Sequence, residues 1–507
     1  MTVNQLLDER AAELGDKTAI FFRDEEIGYR QLNDRALAVA SGLVARGVEK
    51  GRNVCLLIPN RLEFMYAFFG VMKAGAVAVP INTLLKGEEI TYIINNCEAE
   101  VIIVTDEHIE LVRTIKPDCT RLKHVISTAA GDDVIPFEQL LKTPVDENPP
   151  AVTEDEDASI IYTSGTTGRP KGVILTHGNY IADTRMMTES VGMSKDDRFL
   201  CILPLFHVNA QVVTTLGPLY AGASMVLLEG FSPKKFLPAL ARYKATAFSG
   251  VPTVYAILNN QPDAEQYDLS RLRFCVCGAA PMPVEVFNEF EKKYKAFILE
   301  GYGLSEGTCA SSVNPLGGKR KVGSIGLPLE GQPMKIFDDN DNEAPQGTVG
   351  EIVVKGPNVM RGYYNNPEAT EATLKNGWLH TGDLGYVDEE GYFYIVGRKK
   401  EMIIRGGENI YPKEVEEAVY RHPAVLEAAI VGLPDKVWGE EVAAFIVLKD
   451  EGALNEEDMI DYCKEHLADY KCPRKVFFVK DLPKTATGKI QKRKVVEQFV
   501  AEHGGET

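Results

Sequence analysis

Apolar residues fall in short continuous runs over the first three hundred positions. NVCLLIPN (53–60), VAVPIN (77–82) and EVIIVT (100–105) have no polar–apolar alternation, which predicts strands buried on both faces. Residues 61–74 and 88–95 carry apolar positions at helical spacing between them. Strand and helix therefore alternate, as in a parallel sheet flanked by helices. The acidic, proline-bearing stretch VDENPPAVTEDEDA (145–158) predicts a surface connection, and a second α/β stretch follows from Ser159 to about Glu300. The rhythm then changes. Residues 321–396 are rich in Gly, Pro and short β-like runs such as GEIVVKG (350–356) and GYFYIVG (391–397), which predicts a small β-rich subdomain. Beyond Arg398 short mixed units return. The predicted fold is α/β: a large N-terminal domain over 1–399, built of two α/β subdomains and a small β-barrel-like one, then a small α+β domain over 400–507.

The most apolar stretch, 64–81, is interrupted by Lys73, Gly75 and Pro80, so it predicts a buried helix and strand rather than a membrane span. The N-terminus, MTVNQLLDERAAELGD, is polar and amphipathic and does not read as a targeting leader. With 55 Lys and Arg against 73 Asp and Glu, the net charge is −18. That balance argues against broad nucleic-acid or anionic-membrane binding. Nine cysteines are scattered through the chain, and the close pair Cys275 and Cys277, two apart in the apolar run RFCVCGAA, is not read as a metal clamp or a disulfide. Reduced thiols and a cytoplasmic setting are expected. No His, Cys and Asp grouping has metal-ligand spacing.

The candidate chemistry begins where the run SIIY (159–162) meets TSGTTGRPKG (163–172). Gly165 and Gly168 permit turns and close backbone approach. Thr163, Ser164, Thr166 and Thr167 offer hydroxyl and amide donors, and Lys171 adds charge. Such a loop can wrap phosphate oxygens, although its spacing is not that of a Walker loop and Pro170 disfavours direct entry into a helix.

The wider run YTSGTTGRPKGVILTH (162–177) resembles the signature of the adenylate-forming superfamily of acyl-CoA synthetases, coumarate–CoA ligases, peptide-synthetase adenylation domains and firefly luciferase. The resemblance extends in order through LPLFHVNA (203–210), GAAPMP (278–283), GYGLSE (301–306), GWLHTGD (377–383), GRKKEMIIRGGENIYPKEVE (397–416) and PKTATGK (483–489). EFMYAFFGVMKAGAVAVPIN (63–82) carries it into the first subdomain. Bacterial fatty-acid–CoA ligases are the most similar in appearance.

The resemblance implies an acid–thiol ligase that uses ATP, Mg2+ and coenzyme A. The carboxylate first attacks the α-phosphate of ATP, giving acyl-AMP and pyrophosphate; coenzyme A then takes the acyl group and AMP leaves. It implies that Tyr302 stacks on adenine, with Gly278, Ala279 and Ala280 as the opposite wall and the Glu300, Gly301 and Gly303 turn beside it. Asp383 would hold the ribose hydroxyls, Arg398 the ribose or phosphate, and Ser305 the α-phosphate. Thr163–Gly168 and Lys171 would hold the outer phosphates, and Glu306 the magnesium. Lys489 would bridge carboxylate and α-phosphate, within a segment (471–494) that carries nine Lys and Arg against one acid, Asp481. An ammonium suits that role better than a planar guanidinium. His207 would gate the carboxylate site. Gly406 and Gly407 would line a pantetheine passage once the mobile C-terminal domain has turned about Lys400. The acyl group would lie among Val208, Asn209, residues 248–251, Gly278, Gly301, Thr308 and Cys309, with a medium- or long-chain fatty acid as the expected substrate.

Other readings stay open at this point: a short, alicyclic or aromatic acid, or an acyl-AMP ligase that loads a carrier protein. No inserted segment between Gly347 and Arg398 suggests the carrier-loading type. A nucleotide-binding regulator without catalysis is opposed by Glu306, Asp383, Arg398 and Lys489 together. Oligomeric state is not legible, and a homodimer is one option.

Overall fold

The computed structural model describes residues 1–507 except 130, 147–148, 164–168, 263, 281, 451, 486–487 and 504–507. Among the described residues no helix is long and apolar enough to cross a membrane. The apolar runs form the expected strands, Asn53–Leu57, Val77–Pro80 and Val101–Val104, and every residue in them is buried. They pair in parallel within an eight-stranded sheet. The helix Leu62–Lys73 crosses between the first two and is buried all round. Even Lys73 lies inside, its ammonium 2.7 Å from Asp8.

Asp157–Thr163 joins that sheet beside Val77–Pro80 and turns back antiparallel into Lys171–Thr176. The phosphate-loop candidates Ser164, Gly165, Thr166, Thr167 and Gly168 lie in this turn, outside the described residues. The short strand Gly362–Tyr363 then closes the sheet edge against Lys171–Thr176. A second, nine-stranded sheet has Ala247–Gly250, Phe274–Cys277 and Phe297–Tyr302 as parallel neighbours near its middle. One large apolar core fills the space between the two sheets and their helices. Helix His177–Ser190 runs through it. Thr176 and Asn179 cap that helix reciprocally, each side chain accepting the other's backbone N–H.

The β-rich stretch is an antiparallel sheet of Met334–Phe337, Gly350–Val354, Leu374–Lys375, Trp378–Val387 and Phe393–Arg398. The chain leaves it at Arg398, makes one tight turn at Lys399–Glu401 and enters a fourth sheet at Ile403. That sheet is built on the long hairpin Val425–Asp435 and Gly439–Leu448. Alternation along the hairpin sends Ala428 and Ile430 to one face, against Val415 and Met459 of two helices. Ala429, Val431 and Leu433 go to the other, with Val495 of the last helix.

Candidate active site

One cleft of about 1870 Å³ runs between the carboxyl ends of the two large sheets and the C-terminal unit. Open α/β sheets bind ligands at that end of their strands. Strand Phe297–Tyr302 delivers Glu300, Gly301 and Tyr302 to the cleft, and the strand Phe274–Cys277 delivers Gly278, Ala279 and Ala280 beside them. Ala279 has φ +68°, a strained value for a non-glycine residue. At Gly303 a Cβ would lie 1.6 Å from the Cys309 carbonyl oxygen, so only glycine lets the 301–304 turn pass the 309–310 segment.

Tyr302, Asp383 and Arg398 form a linked set. The Tyr302 hydroxyl donates to Asp383 Oδ2 at 2.7 Å, and Arg398 Nε sits 3.0 Å from Asp383 Oδ1. Asp383 and Arg398 are direct partners across their antiparallel strands, so sheet register alone places them together. Burial and the nearby Asp383 carboxylate hold the Tyr302 phenol well above its ordinary pKa. Glu300 accepts the Gly323 N–H at 2.9 Å, and burial raises its carboxyl to about 7. It is anchored at the floor of the cleft rather than turned out into it.

Ser305 and Glu306 open a short helical turn, Ser305–Gly307, whose next residue, Thr308, has φ +68°. Buried side chains clamp the turn from behind. Asn358 Nδ2 donates to the Gly307 carbonyl at 2.8 Å, the Thr308 hydroxyl donates to the Asn358 carbonyl at 2.6 Å, and Asp183 Oδ2 accepts the Ala310 N–H at 3.1 Å. Asp183 is fully buried with no cation against it among the described residues, and burial pushes its carboxyl well above the usual range. Nothing in its sequence context marked it. Tyr363 was also missed: its hydroxyl donates to Glu306 Oε1 at 2.8 Å, while the Lys171 ammonium lies 4.9 Å from its ring centre.

The C-terminal unit reaches the cleft through the loop before Ile490. The Thr253 hydroxyl donates to the Gly488 carbonyl at 3.3 Å, which seats the loop against the helix Pro252–Asn259. Lys489 thereby faces Arg398, Asp383 and Glu401. Burial and the Arg398 cation lower its ammonium to about 8. His207 is lowered to about 4 by burial and by Lys489 itself, so it is neutral at physiological pH. Its Nδ1 accepts the Asn209 N–H at 3.3 Å. Lys489, His207, Tyr302, Glu306, Asp383, Arg398 and Lys400 thus share one cleft, together with Thr163, Lys171, Ser305 and the Gly278 and Gly301 walls. Gly406 and Gly407 do not line it. They form the turn between Ile403–Arg405 and Glu408–Ile410, at φ +59° and +92°.

At the acyl end, Val208, Asn209, Gly278, Gly301 and Cys309 line the cleft, as do Met187, Val191 and Val213. Phe248 and Thr308 stand behind the wall instead; Phe248 packs on Phe236, Tyr255 and Phe290. Val213 belongs to a π-helical turn, Val212–Leu216. Such wide turns often mark functional sites. Ser249 donates to Asn209 Oδ1 at 2.9 Å. Between Met187 and Val313 the described lining residues include no lysine or arginine.

Residues 7–364 match the model of the AMP-binding enzyme family, and residues 414–489 match that of the AMP-binding enzyme C-terminal domain. The chain is 37% identical to a long-chain-fatty-acid–CoA ligase of Bacillus subtilis, over 99% of this chain and 95% of the relative. It is 36% identical to a sulfoacetate–CoA ligase of Cupriavidus necator, over 98% and 97%. The crystal structure of the anthranilate CoA ligase AuaEII in complex with anthranoyl-AMP superposes with a TM-score of 0.93 at 33% identity, covering 99% of this chain and 98% of that one. With matches to both family models, and with full-length relatives that include the two CoA ligases above, this chain belongs to the AMP-binding enzyme family and is an ATP-dependent, AMP-forming acyl-CoA synthetase.

Proposed function

We propose that the acid is a monocarboxylate with an apolar tail, a medium- or long-chain fatty acid first. The observation that carries this is the acyl wall: Met187, Val191, Val208, Val213 and Cys309 offer hydrocarbon and thiol surface with no cation. A second acid group, such as the sulfonate of sulfoacetate, would be desolvated there without a partner, at a cost of several kcal/mol. Asn209, held by Ser249, supports a second reading, an aryl acid with one hydrogen-bonding substituent. A panel of alkanoic, aryl and dicarboxylic acids, scored for CoA-dependent AMP formation, tests the choice. Preference for a dicarboxylate or sulfonate would overturn it.

Within this reading each side chain has a task. Adenine lies between the Tyr302 ring and the Gly278–Ala279–Ala280 backbone, and the ribose hydroxyls donate to Asp383, which Arg398 and Tyr302 keep oriented. Ser305 meets the α-phosphate; Thr163, Lys171 and the 164–168 loop meet the outer ones. Lys489 spans the carboxylate and α-phosphate oxygens as negative charge gathers at phosphorus. The neutral imidazole of His207 brings no competing cation to the carboxylate, and to swing aside as a gate it would give up the bond from the Asn209 N–H.

Magnesium fits the donor set. Glu306 is a carboxylate on the cleft wall, and among the described residues no group of three or more His, Cys, Asp or Glu could cage an ion. Magnesium takes one or two carboxylates and fills its shell with phosphate oxygens and water. Bound there, it would neutralise phosphate charge and help pyrophosphate depart.

The two-domain division at 399 and 400 is part of the proposal. It is supported by the change of sheet across the Lys399–Glu401 turn. Thioester formation then requires the unit beyond Lys400 to turn, so that Gly406 and Gly407 replace Lys489 beside the acyl carbonyl. The thiol attacks that carbonyl carbon and AMP leaves. Cytoplasmic placement fits nine buried free thiols.

A further inference from the structure

Tyr363 stands between two groups that reach the triphosphate end of the cleft from different parts of the fold. Its strand, Gly362–Tyr363, pairs with the strand that begins at Lys171, with Tyr363 opposite Val173. On the other side, the Met360 N–H donates to the Glu306 carbonyl at 2.8 Å and ties this segment to the turn that carries Glu306. The Tyr363 N–H donates to the Thr370 hydroxyl at 2.9 Å and the Tyr364 N–H to the Gly172 carbonyl at 2.7 Å, so the ring cannot shift with its backbone. From this fixed base the hydroxyl donates to Glu306 Oε1 at 2.8 Å, and the ring face lies 4.9 Å from the Lys171 ammonium. Glu306 Oε2 has no hydrogen-bond partner among the described residues.

We propose that Tyr363 is a positioning residue for the metal–triphosphate end of the site. Its hydroxyl holds Oε1 of Glu306, so that Oε2 is the oxygen offered to magnesium. Its ring holds Lys171 in the cleft before nucleotide arrives. A free glutamate would sample several rotamers and would lose that freedom on binding the ion; Tyr363 removes part of this cost in advance. The ring does the same for the lysine through a cation–π contact.

The two contacts separate by substitution. Tyr363→Phe keeps the ring and removes the hydroxyl; Tyr363→Leu removes both. This inference rests on Glu306 as the metal carboxylate, so Glu306→Gln is carried alongside. ATP binding is measured by calorimetry over a magnesium series and in EDTA, and Mn2+ binding by electron paramagnetic resonance. For Tyr363→Phe the magnesium concentration at half-effect should rise about three- to tenfold, the worth of one typical hydrogen bond, with ATP affinity in EDTA unchanged. Tyr363→Leu should show the same shift and, in addition, about two- to fivefold weaker ATP binding in EDTA. A wild-type magnesium curve for Tyr363→Phe, with a shifted curve for Glu306→Gln, would overturn the role of Tyr363 alone. A wild-type curve for Glu306→Gln would overturn the metal assignment and this inference with it. Equal losses in both arms for Tyr363→Phe would make the residue merely structural.

Discussion

Two of the turns of the C-terminal unit that carry glycine at positive φ end in opposite surroundings. Gly488, at φ +84°, is pressed into the cleft against Val251 and Thr253 and carries Lys489 with it. Gly406 and Gly407 sit away from the cleft, Gly406 against Trp438, which is 46% exposed. Arg405 is tied to Glu441 by a two-pronged ion pair at 2.6 and 3.0 Å, with its guanidinium 4.7 Å from the Trp438 ring centre. One turn is therefore built into the site and the other is held ready outside it. Both belong to a unit with two packed cores on one sheet, which cannot bend to present both at once. Under the function proposed above, this arrangement serves adenylation and transfer to the thiol needs another.

The largest expected effect tests the turn that is in place. Lys489→Ala should slow formation of acyl-AMP about 10²- to 10³-fold, the scale of losing one preorganised group at a charged transition state. Supplied acyl-AMP should still react with coenzyme A. Pyrophosphate exchange near the wild-type rate would remove Lys489 from the first step. The next effect tests the turn that is absent. Lys400→Pro fixes φ in the Lys399–Glu401 turn, where the two arrangements must diverge. Adenylation should stay within about tenfold, roughly 1.4 kcal/mol, and thioester formation from acyl-AMP should fall further than that. Single-turnover rates of the two half-reactions decide; equal losses in both would place the pivot elsewhere.

The ammonium of Lys489 also sets a pH signature for only one of the two steps. Its pKa is depressed to about 8, so it is charged below that value and neutral above it. The protonated form is the one that can stabilise the α-phosphate. kcat/KM for adenylation, which reports the free enzyme, should be flat on the acid side and fall about tenfold per pH unit above about 8. Lys489→Arg keeps its charge at all these pH values and should be slow but without that limb. A limb that survives in Lys489→Arg would belong to another group.

The nucleotide half of the site was legible through the ordered motifs that carry the family resemblance. Taken alone, Asp383 reads as a turn aspartate, Glu306 as a solvated glutamate and Lys489 as part of a basic surface run; only the motifs around them assign their roles. The strands and helices around them were legible for a separate reason: a parallel strand buried on both faces has to be a continuous apolar run, as in Val101–Val104. Tyr363 and Asp183 escaped because their roles depend on partners 57 and 127 residues away in the chain, which no local pattern reveals. Val208, Asn209, Gly278, Gly301 and Cys309 of the acyl wall were named from the sequence, but three further lining residues escaped for the opposite reason. Met187, Val191 and Val213 look like core residues, and only the third dimension shows that they also face a cleft. None of residues 248–251 lines the cleft, and Phe248 among them is a core aromatic.

The smallest effect is the most informative about substrate. Gly301 and Gly278 both line the slot, yet they are not equivalent probes. A Cβ on Gly301 would come within 3.1 Å of the Ser312 carbonyl, so enlarging it strains the sheet as well as the slot. A Cβ on Gly278 meets only the Gly301 carbonyl, at 3.4 Å, an ordinary contact. Gly278→Ala therefore narrows the slot by one methyl without forcing the backbone. A methylene-sized change in an apolar pocket is worth about 1–3 kcal/mol to a ligand that needs the space. A flat ring fills the full width there and should lose about tenfold or more in kcat/KM. A straight alkyl chain is thinner and should lose less than about threefold, since the added methyl also contributes apolar contact. Comparison of an alkanoic and an aryl acid of matched length in wild type and variant reads this directly. The KM for ATP serves as the control. If it rises while the two acids stay equal, Gly278 faces adenine alone, and the acyl group lies wholly on the Val208 to Val213 side of the cleft.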